Sequence, residues 1–199
     1  MKHAVRDARR RGHSLRTCAI DAQGYATHAH RVPSPNCDAR PAACAIELVV
    51  VHGISLPPGH FAPEHVEALF TNRLDASADP YFASVADLRV SAHFYIQRDG
   101  ALTQFVACRL RAWHAGQSSW RGRERCNDFS VGIELAGTDT LAYRAQQYFT
   151  LARLVHALQR RYPVRDIVGH SDIAPDRKTD PGPAFDWPYL RHLIARLSR

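Results

Sequence analysis

The chain has 199 residues, a length that suits one domain or at most two small ones. Hydrophobic residues make up 45% and charged residues 23%, so a mainly disordered, collagenous or coiled-coil protein is excluded, and no apolar run approaches the ~20 residues that cross a bilayer. The formal net charge of +7 favours an anionic partner, such as nucleic acid, a membrane surface or a substrate that carries carboxylates.

The first segment of the chain, residues 1–23, is arginine-rich and has no apolar periodicity. We expect it to be a loosely ordered basic extension, and we expect residues 24–199 to form a single domain. The cluster Arg9–Arg11 is typical of a solvated run of charge, and no RNP sequence or helix-turn-helix supports nucleic-acid binding. The start of the chain also lacks the apolar segment and cleavage site of a signal peptide, which favours the cytoplasm.

The five cysteines are an odd number and include no CxxC pair. Their spacing fits neither a zinc ribbon nor a disulfide framework. We therefore expect reduced thiols, as in a protein of a reducing compartment.

Four segments show strand patterns. The first is a valine-rich apolar run that ends at His52, as expected of a strand buried on both faces. In the last, Glu134 lies opposite an apolar face, where an ionised carboxylate needs a partner. A turn at Asp99-Gly100 predicts a hairpin between the second and third. The predicted strands are residues 45–51, 90–97, 102–106 and 129–135.

Helical patterns occur between and after these strands. Residues 62–71 begin with a proline that the first turn of a helix accepts, residues 142–162 carry one apolar stripe, and residues 188–197 form a C-terminal helix. Because helices and strands are intermingled, we predict an α+β fold with a mixed central sheet and helices on both faces.

Three candidate metal ligands follow or end strands. His52 closes the first strand, His170 closes the segment 165–170, and Asp180 lies in a proline-rich loop. Two imidazoles and a carboxylate suit zinc with a fourth position open for water. Taken singly, each residue also fits a structural role, as a hydrogen-bonded histidine or as an Asp that starts a turn. Lys178 is one of only two lysines and lies in the same loop, which favours a functional site there.

Six motifs together resemble the AmpD family, the cytoplasmic 1,6-anhydro-N-acetylmuramyl-L-alanine amidases of Gram-negative bacteria. The resemblance extends from about Gly24 to Leu197, and the last motif is long enough to be highly specific. It also includes the wider family of phage amidase lysozymes and animal peptidoglycan-recognition proteins. The motifs are VVHGISLPPG (50–59), RVSAH (89–93), RAWHAG (111–116), GRERCNDFS (122–130), GIEL (132–135) and GHSDIAPDRKTDPGP (169–183).

The resemblance implies a peptidoglycan-recognition-protein-like amidase domain that acts as a monomer on an anhydromuropeptide. The enzyme would cleave the amide between the lactyl group and L-alanine during peptidoglycan recycling and so affect β-lactamase induction. One zinc per chain is implied, with Glu134 as general base and Lys178 as the cation that stabilises the transition state. The implied zinc ligands are His52, His170 and Asp180, and the implied substrate contacts are Arg89, His93, Trp113 and Arg125.

Two features depart from the family pattern. Gly53 stands where the family typically has Asn, so a contact with sugar or peptide is expected to be missing. Residues 1–23 have no counterpart.

Other functions remain open at this stage. A peptidoglycan-binding module that has lost catalysis would usually lack a zinc ligand, whereas every ligand position is occupied here. An exported autolysin that acts on the polymeric wall would need a signal peptide.

Overall fold

The computed structural model describes residues 18–199. Its ten strands are β1 (His30–Arg31), β2 (Cys37–Ala39), β3 (Leu48–Ile54), β4 (Phe94–Ile96), β5 (Leu102–Gln104), β6 (Leu110–Ala112), β7 (Ser119–Trp120), β8 (Arg123–Glu124), β9 (Ser130–Ala136) and β10 (Asp166–Gly169). Its helices are α1 (Pro63–Phe70), α2 (Pro80–Val85), α3 (Ala145–Arg161), α4 (His170–Ile173) and α5 (Trp187–Leu197), with a 3₁₀ turn at Cys126–Asp128.

A six-stranded mixed sheet forms the centre of the domain, in the order β1-β5-β4-β9-β3-β10. Strands β4, β9, β3 and β10 are parallel to one another, whereas β5 is antiparallel to β4. Two small antiparallel pairs, β2-β6 and β7-β8, lie outside this sheet. The predicted α+β class with a mixed sheet is confirmed.

Helices cover both faces of the central sheet. On one face the alternate residues Val131, Ile133 and Leu135 of β9 pack in a cluster with the apolar stripes of α3 and α5. On the other face Tyr95 of β4 packs with buried residues of α1 and α2, among them Phe70 and Phe82. Because both faces are covered, the central strands β4 and β9 are buried apart from the partly buried Glu134, as parallel strands usually are.

Several predicted boundaries differ from the structure. Strand β3 extends past His52 to Ile54, because β9 pairs with it over that whole length. Strand β4 is confined to Phe94–Ile96, shorter than the predicted 90–97. In the predicted extension, Ile20 forms a β-bridge with Ala26 and packs into the core, so the packed domain begins before Gly24. Residues 1–17 of that extension lie outside the described residues.

Two other features follow from the described residues. The five cysteines are all free thiols, as their spacing predicted. Between residues 18 and 199, no helix is both long enough and apolar enough to cross a membrane.

Candidate active site

The register of the parallel strands brings the main candidate residues to one row. His52 of β3 pairs with Glu134 of β9, and Glu134 pairs with Tyr95 of β4. Gly169 of β10 pairs with Val51, so His170 follows at the level of His52. Paired residues point to the same face, and the carboxyl ends of parallel strands are where open α/β sheets bind ligands. Sheet pairing alone therefore assembles His52, Glu134 and His170 at one edge.

His52, His170 and Asp180 form a compact cluster. The Nδ1 atoms of His52 and His170 are 3.0 Å apart, and Asp180 Oδ2 lies 3.3 Å from His52 Nδ1 and 3.2 Å from His170 Nδ1. Ligand atoms about 2.0–2.1 Å from a tetrahedral zinc are separated by roughly 3.3 Å, which is close to these distances. These three side chains can thus all face one small cation, and they fit zinc.

The electrostatics of the cluster favour a cation. Burial lowers the pKa of His52 to about 4, so its imidazole is neutral at pH 7. Burial alone would raise the pKa of Asp180, but the close contacts of its carboxylate with the His170 and His52 rings hold that pKa well below its usual range. A neutral imidazole beside an ionised carboxylate has the protonation states that a metal requires.

The loop that carries Asp180 is fixed to its surroundings. The Asp180 backbone carbonyl accepts a hydrogen bond from the Ser171 N–H at 2.9 Å. The Pro181 carbonyl accepts one from the Tyr143 hydroxyl at 3.0 Å. Asp180 Oδ2 also lies 3.4 Å from the Gly53 N–H. The carboxylate is therefore held from α4, from β3 and from the segment before α3.

The second carboxylate of the site, Glu134, has an oxygen without a hydrogen-bond partner among the described residues. This oxygen, Oε2, is buried. Burial raises the pKa of Glu134 well above its usual range, Asp180 raises it further, and Lys178 partly opposes this. A buried polar atom without a partner is rare and usually has a functional reason. Glu134 thus lines the cleft and carries a buried oxygen that no described residue engages.

Lys178 lines the same cleft and is half-buried. Within residues 18–199 it forms no salt bridge, although its charge acts on both Glu134 and His52. It is also the only lysine of the described part of the chain. Its ammonium is free to contact a bound molecule.

The four predicted substrate contacts have different environments. Trp113 lines a cleft of about 710 Å³ together with His52, Glu134 and Lys178. Arg89 is exposed on the rim, between cleft residues Leu88 and Val90. Arg125 is exposed in a neighbouring depression and pairs with Asp128 at 3.4 Å.

His93 corrects the fourth expectation. Its ring is 0% exposed, and its Nδ1 accepts a hydrogen bond from the Gly132 N–H at 3.0 Å. Burial lowers the pKa of His93 to about 3, so the ring is neutral. A buried imidazole that is engaged with the backbone offers a substrate no surface, so His93 supports the sheet instead.

Sequence reasoning missed two residues that support the site. Tyr143 holds the Asp180 loop, and His114 Nδ1 lies 2.9 Å from His52 Nε2. Burial, with His52 as the next cause, lowers the pKa of His114 well below its usual range. The RAWHAG motif contains His114, but nothing in its spacing indicates that the ring reaches a metal ligand.

Comparisons with known proteins agree with this geometry. Residues 42–183 match the family model described as N-acetylmuramoyl-L-alanine amidase. A Citrobacter freundii protein named 1,6-anhydro-N-acetylmuramyl-L-alanine amidase AmpD is 56% identical over 174 residues, which are 86% of this chain and 93% of that protein. An Escherichia coli K12 protein of the same name is also 56% identical, over 87% of this chain and 96% of its own length.

Solved structures show the same fold. The crystal structure of a selenomethionine derivative of AmpD superposes with a TM-score of 0.86 at 56% identity, over 88% of this chain and 98% of that one. The complex of E. coli AmiD with the substrate anhydro-N-acetylmuramic acid-L-Ala-D-γ-Glu-L-Lys gives a TM-score of 0.55 at 26% identity, over 89% of this chain and 65% of that one.

Proposed function

Because this chain belongs to the N-acetylmuramoyl-L-alanine amidase family, we propose that it hydrolyses the amide between the lactyl carbonyl of 1,6-anhydro-N-acetylmuramic acid and L-alanine. The observation that carries this proposal is the cleft in which His52, His170 and Asp180 meet beside an unpartnered Glu134. The specific substrate is supported by the two 56% identical relatives, whose names give that activity. The physiological setting we propose is peptidoglycan recycling.

The cofactor we propose is one zinc ion per chain, held by His52 Nδ1, His170 Nδ1 and a carboxylate oxygen of Asp180. The set contains no sulfur and supplies three ligands, which is typical of catalytic zinc and not of closed structural sites. When bound, zinc lowers the pKa of a water molecule towards ~7 and polarises a carbonyl group. These are the two effects that amide hydrolysis needs at neutral pH.

Glu134 acts as the general base and then as the general acid. Its free Oε2 accepts the proton of the attacking water and delivers it to the nitrogen of L-alanine as the amide bond breaks. Because its pKa is raised, the Glu134 carboxyl both takes up and releases a proton more readily than a carboxyl with an ordinary pKa. Burial of Glu134 beside Asp180 is the physical cause of this raised pKa.

Lys178 stabilises the oxyanion of the tetrahedral intermediate. It lines the cleft with Glu134 and makes no salt bridge within the described residues that would occupy its charge. A single such donor contributes about 3–4 kcal/mol to transition-state stabilisation. In the ground state the lactyl oxygen carries no full charge, so the contribution arises mainly during the reaction.

The surface around the cleft fits a muropeptide. The stem peptide carries carboxylates, and Arg89 is exposed on the rim while Arg125 lies in the depression that shares Arg177 with the cleft. Arginine binds carboxylates in bidentate geometry. Trp113 adds a flat apolar surface, of the kind that packs against a sugar ring.

The proposal is tested by one digestion. The zinc-loaded full chain is incubated with 1,6-anhydro-N-acetylmuramyl-L-Ala-D-γ-Glu-L-Lys or with its reduced muramitol counterpart, and the products are identified by mass spectrometry. We expect free tripeptide from the anhydro substrate, loss of this product on chelation, and recovery on zinc addition. Equal cleavage of both substrates would instead indicate a general muramoyl-alanine amidase. No tripeptide from either substrate would refute the proposal.

The remaining expectations concern cellular context. We propose that the protein acts in the cytoplasm as a monomer, and that removing stem peptides from anhydromuropeptides affects β-lactamase induction. Support comes from the resemblance to the relatives above. Cell fractionation and sedimentation of the purified chain measure the first two.

A further inference from the structure

Two consecutive residues lie behind the two histidine ligands. His114 Nδ1 is 2.9 Å from His52 Nε2, and the Ala115 carbonyl oxygen is 3.3 Å from His170 Nε2. Each contact is made by the ring nitrogen that faces away from the cluster. One short segment of chain thus contacts both imidazoles from outside.

The contact with Ala115 decides the tautomer of His170. A backbone carbonyl can only accept a hydrogen bond, so His170 Nε2 must carry the hydrogen. Nδ1 is then the nitrogen left to bind a metal, and this atom faces Asp180 and His52. Carbonyl groups commonly orient metal-binding histidines in this way.

The tautomer of His52 is decided by a longer chain of hydrogen bonds. Ser130 Oγ is 2.6 Å from the Cys126 carbonyl, so its only hydrogen is donated there. Ser130 Oγ must therefore accept the contact at 3.1 Å from His114 Nε2, which places the hydrogen of neutral His114 on Nε2. His114 Nδ1 is then an acceptor, and His52 Nε2 must donate to it. The Nδ1 atom of His52 keeps its lone pair and faces the cluster.

The surrounding chain is built to hold His114 in this position. A Cβ atom on Gly132 would lie 2.4–2.7 Å from atoms of the His114 ring, so β9 leaves the space that the ring fills. Asn127 Oδ1 accepts hydrogen bonds from the His114 and Ala115 N–H groups at 3.2 and 2.8 Å. Arg177 donates to the Ala115 carbonyl at 2.7 Å. The ring is thus fixed by contacts that do not involve the metal.

We propose that His114, with Ser130 as its acceptor, is a positioning residue that fixes His52 in the Nε2–H tautomer and so prepares Nδ1 for zinc before the ion arrives. The inference rests on the proposed zinc site. It assigns His114 no contact with the reacting atoms. In the metal-free protein the lone pair of His52 Nδ1 then already faces Asp180 and His170 Nδ1, where the cation would bind.

The test measures zinc affinity and tautomer, and activity is not needed. Zinc dissociation constants are obtained by competition with a chromophoric chelator, and ¹⁵N spectra of the metal-free chain report the protonated nitrogen of His52. The variants are His114→Phe, which keeps ring bulk without an acceptor, His114→Asn, which keeps an acceptor, and Ser130→Ala. His192→Phe, at an exposed position on α5, is the matched control.

We expect His114→Phe to weaken zinc binding by about 10–100-fold, the usual effect of losing an outer partner of a metal ligand. His114→Asn and Ser130→Ala should each lose less, and His192→Phe should match wild type. In wild type, metal-free His52 should be the Nε2–H tautomer, and in His114→Phe a mixture. If His114→Phe misfolds, Ser130→Ala and His114→Asn still decide the question.

Two results separate the possible failures. Wild-type zinc affinity in both His114→Phe and Ser130→Ala, or an Nδ1–H tautomer of His52 in metal-free wild type, would overturn the role of His114 and leave the zinc site standing. Failure of wild type itself to bind zinc would overturn the proposed site.

Discussion

Gly53 is explained by the position of Tyr143. A Cβ atom at residue 53 would lie 2.4 Å from the Tyr143 hydroxyl oxygen but 3.7 Å from its Cζ and 3.6 Å from Pro181 Cα. The hydroxyl is therefore the only one of these neighbours that excludes a side chain. The same hydroxyl donates a hydrogen bond to the Pro181 carbonyl. Tyr143 therefore both excludes a side chain at residue 53 and supports the Asp180 loop. The Asn typical of the family at this position would need the same Cβ.

The size of the effect follows from these distances. Gly53→Ala must push away a buried hydroxyl, which overpacks the site and weakens its hydrogen bond, so we expect a loss of about 1–3 kcal/mol. For a domain of this size that corresponds to a fall in Tm of roughly 2–12 °C. Tyr143→Phe leaves the Pro181 carbonyl unpaired and should cost about 1–3 kcal/mol by itself. In the Tyr143→Phe background, however, a methyl group at 53 meets only ordinary contacts.

The assay is a double-mutant cycle by urea unfolding. We expect Gly53→Ala to cost nothing in the Tyr143→Phe background, or to stabilise by up to about 1 kcal/mol, because alanine reduces the entropy of the unfolded chain. Gly137→Ala is the matched control, since its Cβ would meet Tyr143 ring atoms at 2.2 and 2.5 Å that phenylalanine retains. Gly137→Ala should be costly in both backgrounds. An equal cost of Gly53→Ala in both backgrounds would refute the steric argument.

Three further predictions concern the proposed chemistry. His170→Ala should lose most bound zinc by metal analysis, since it removes one of three ligands, and full zinc occupancy would contradict the assignment. Glu134→Gln should keep the fold and the zinc while turnover on the anhydro tripeptide falls ~10²–10⁴-fold, and a near-normal rate would remove its role as base. Lys178→Ala should lower kcat with little change in KM, and Lys178→Arg should restore only part of it because guanidinium is planar and spreads its charge. Full activity of Lys178→Arg would reduce Lys178 to a general electrostatic contributor.

Local patterns predicted the long elements well, because burial on one face leaves a period in the sequence. The apolar stripe predicted 142–162, and α3 spans Ala145–Arg161. The short strands β1, β2, β6, β7 and β8 have two or three residues each and carry no period to detect. The extension of β3 to Ile54 depends on pairing with β9, and the apolar run before His52 contains no sign of that pairing.

The family resemblance, and not the pattern of the strand, implied that His93 contacts substrate. Alternation only places His93 on the face opposite Phe94 and Ile96, and such a face is often open to solvent or ligand. In this sheet both faces are covered, and His93 is sealed under the chain that carries β6, where its Nε2 lies 3.1 Å from the Leu110 carbonyl. A period of two shows that two faces exist, but whether both are buried depends on segments distant in sequence.

The sequence indicates the residues proposed to carry the chemistry more clearly than the residues that orient them. His52, Glu134 and His170 reach one row through strand pairing, so their side-chain types and strand positions already indicate a site. His114 reaches the same place on a loop, through Asn127 and the gap that Gly132 leaves. Neither Asn127 nor Gly132 has a type that indicates metal support, and the sequence does not show where the His114 ring lies. The orienting residues therefore become visible only when donors and acceptors are assigned atom by atom. The tautomer of His52 follows from the single hydrogen of Ser130, which lies two hydrogen bonds away.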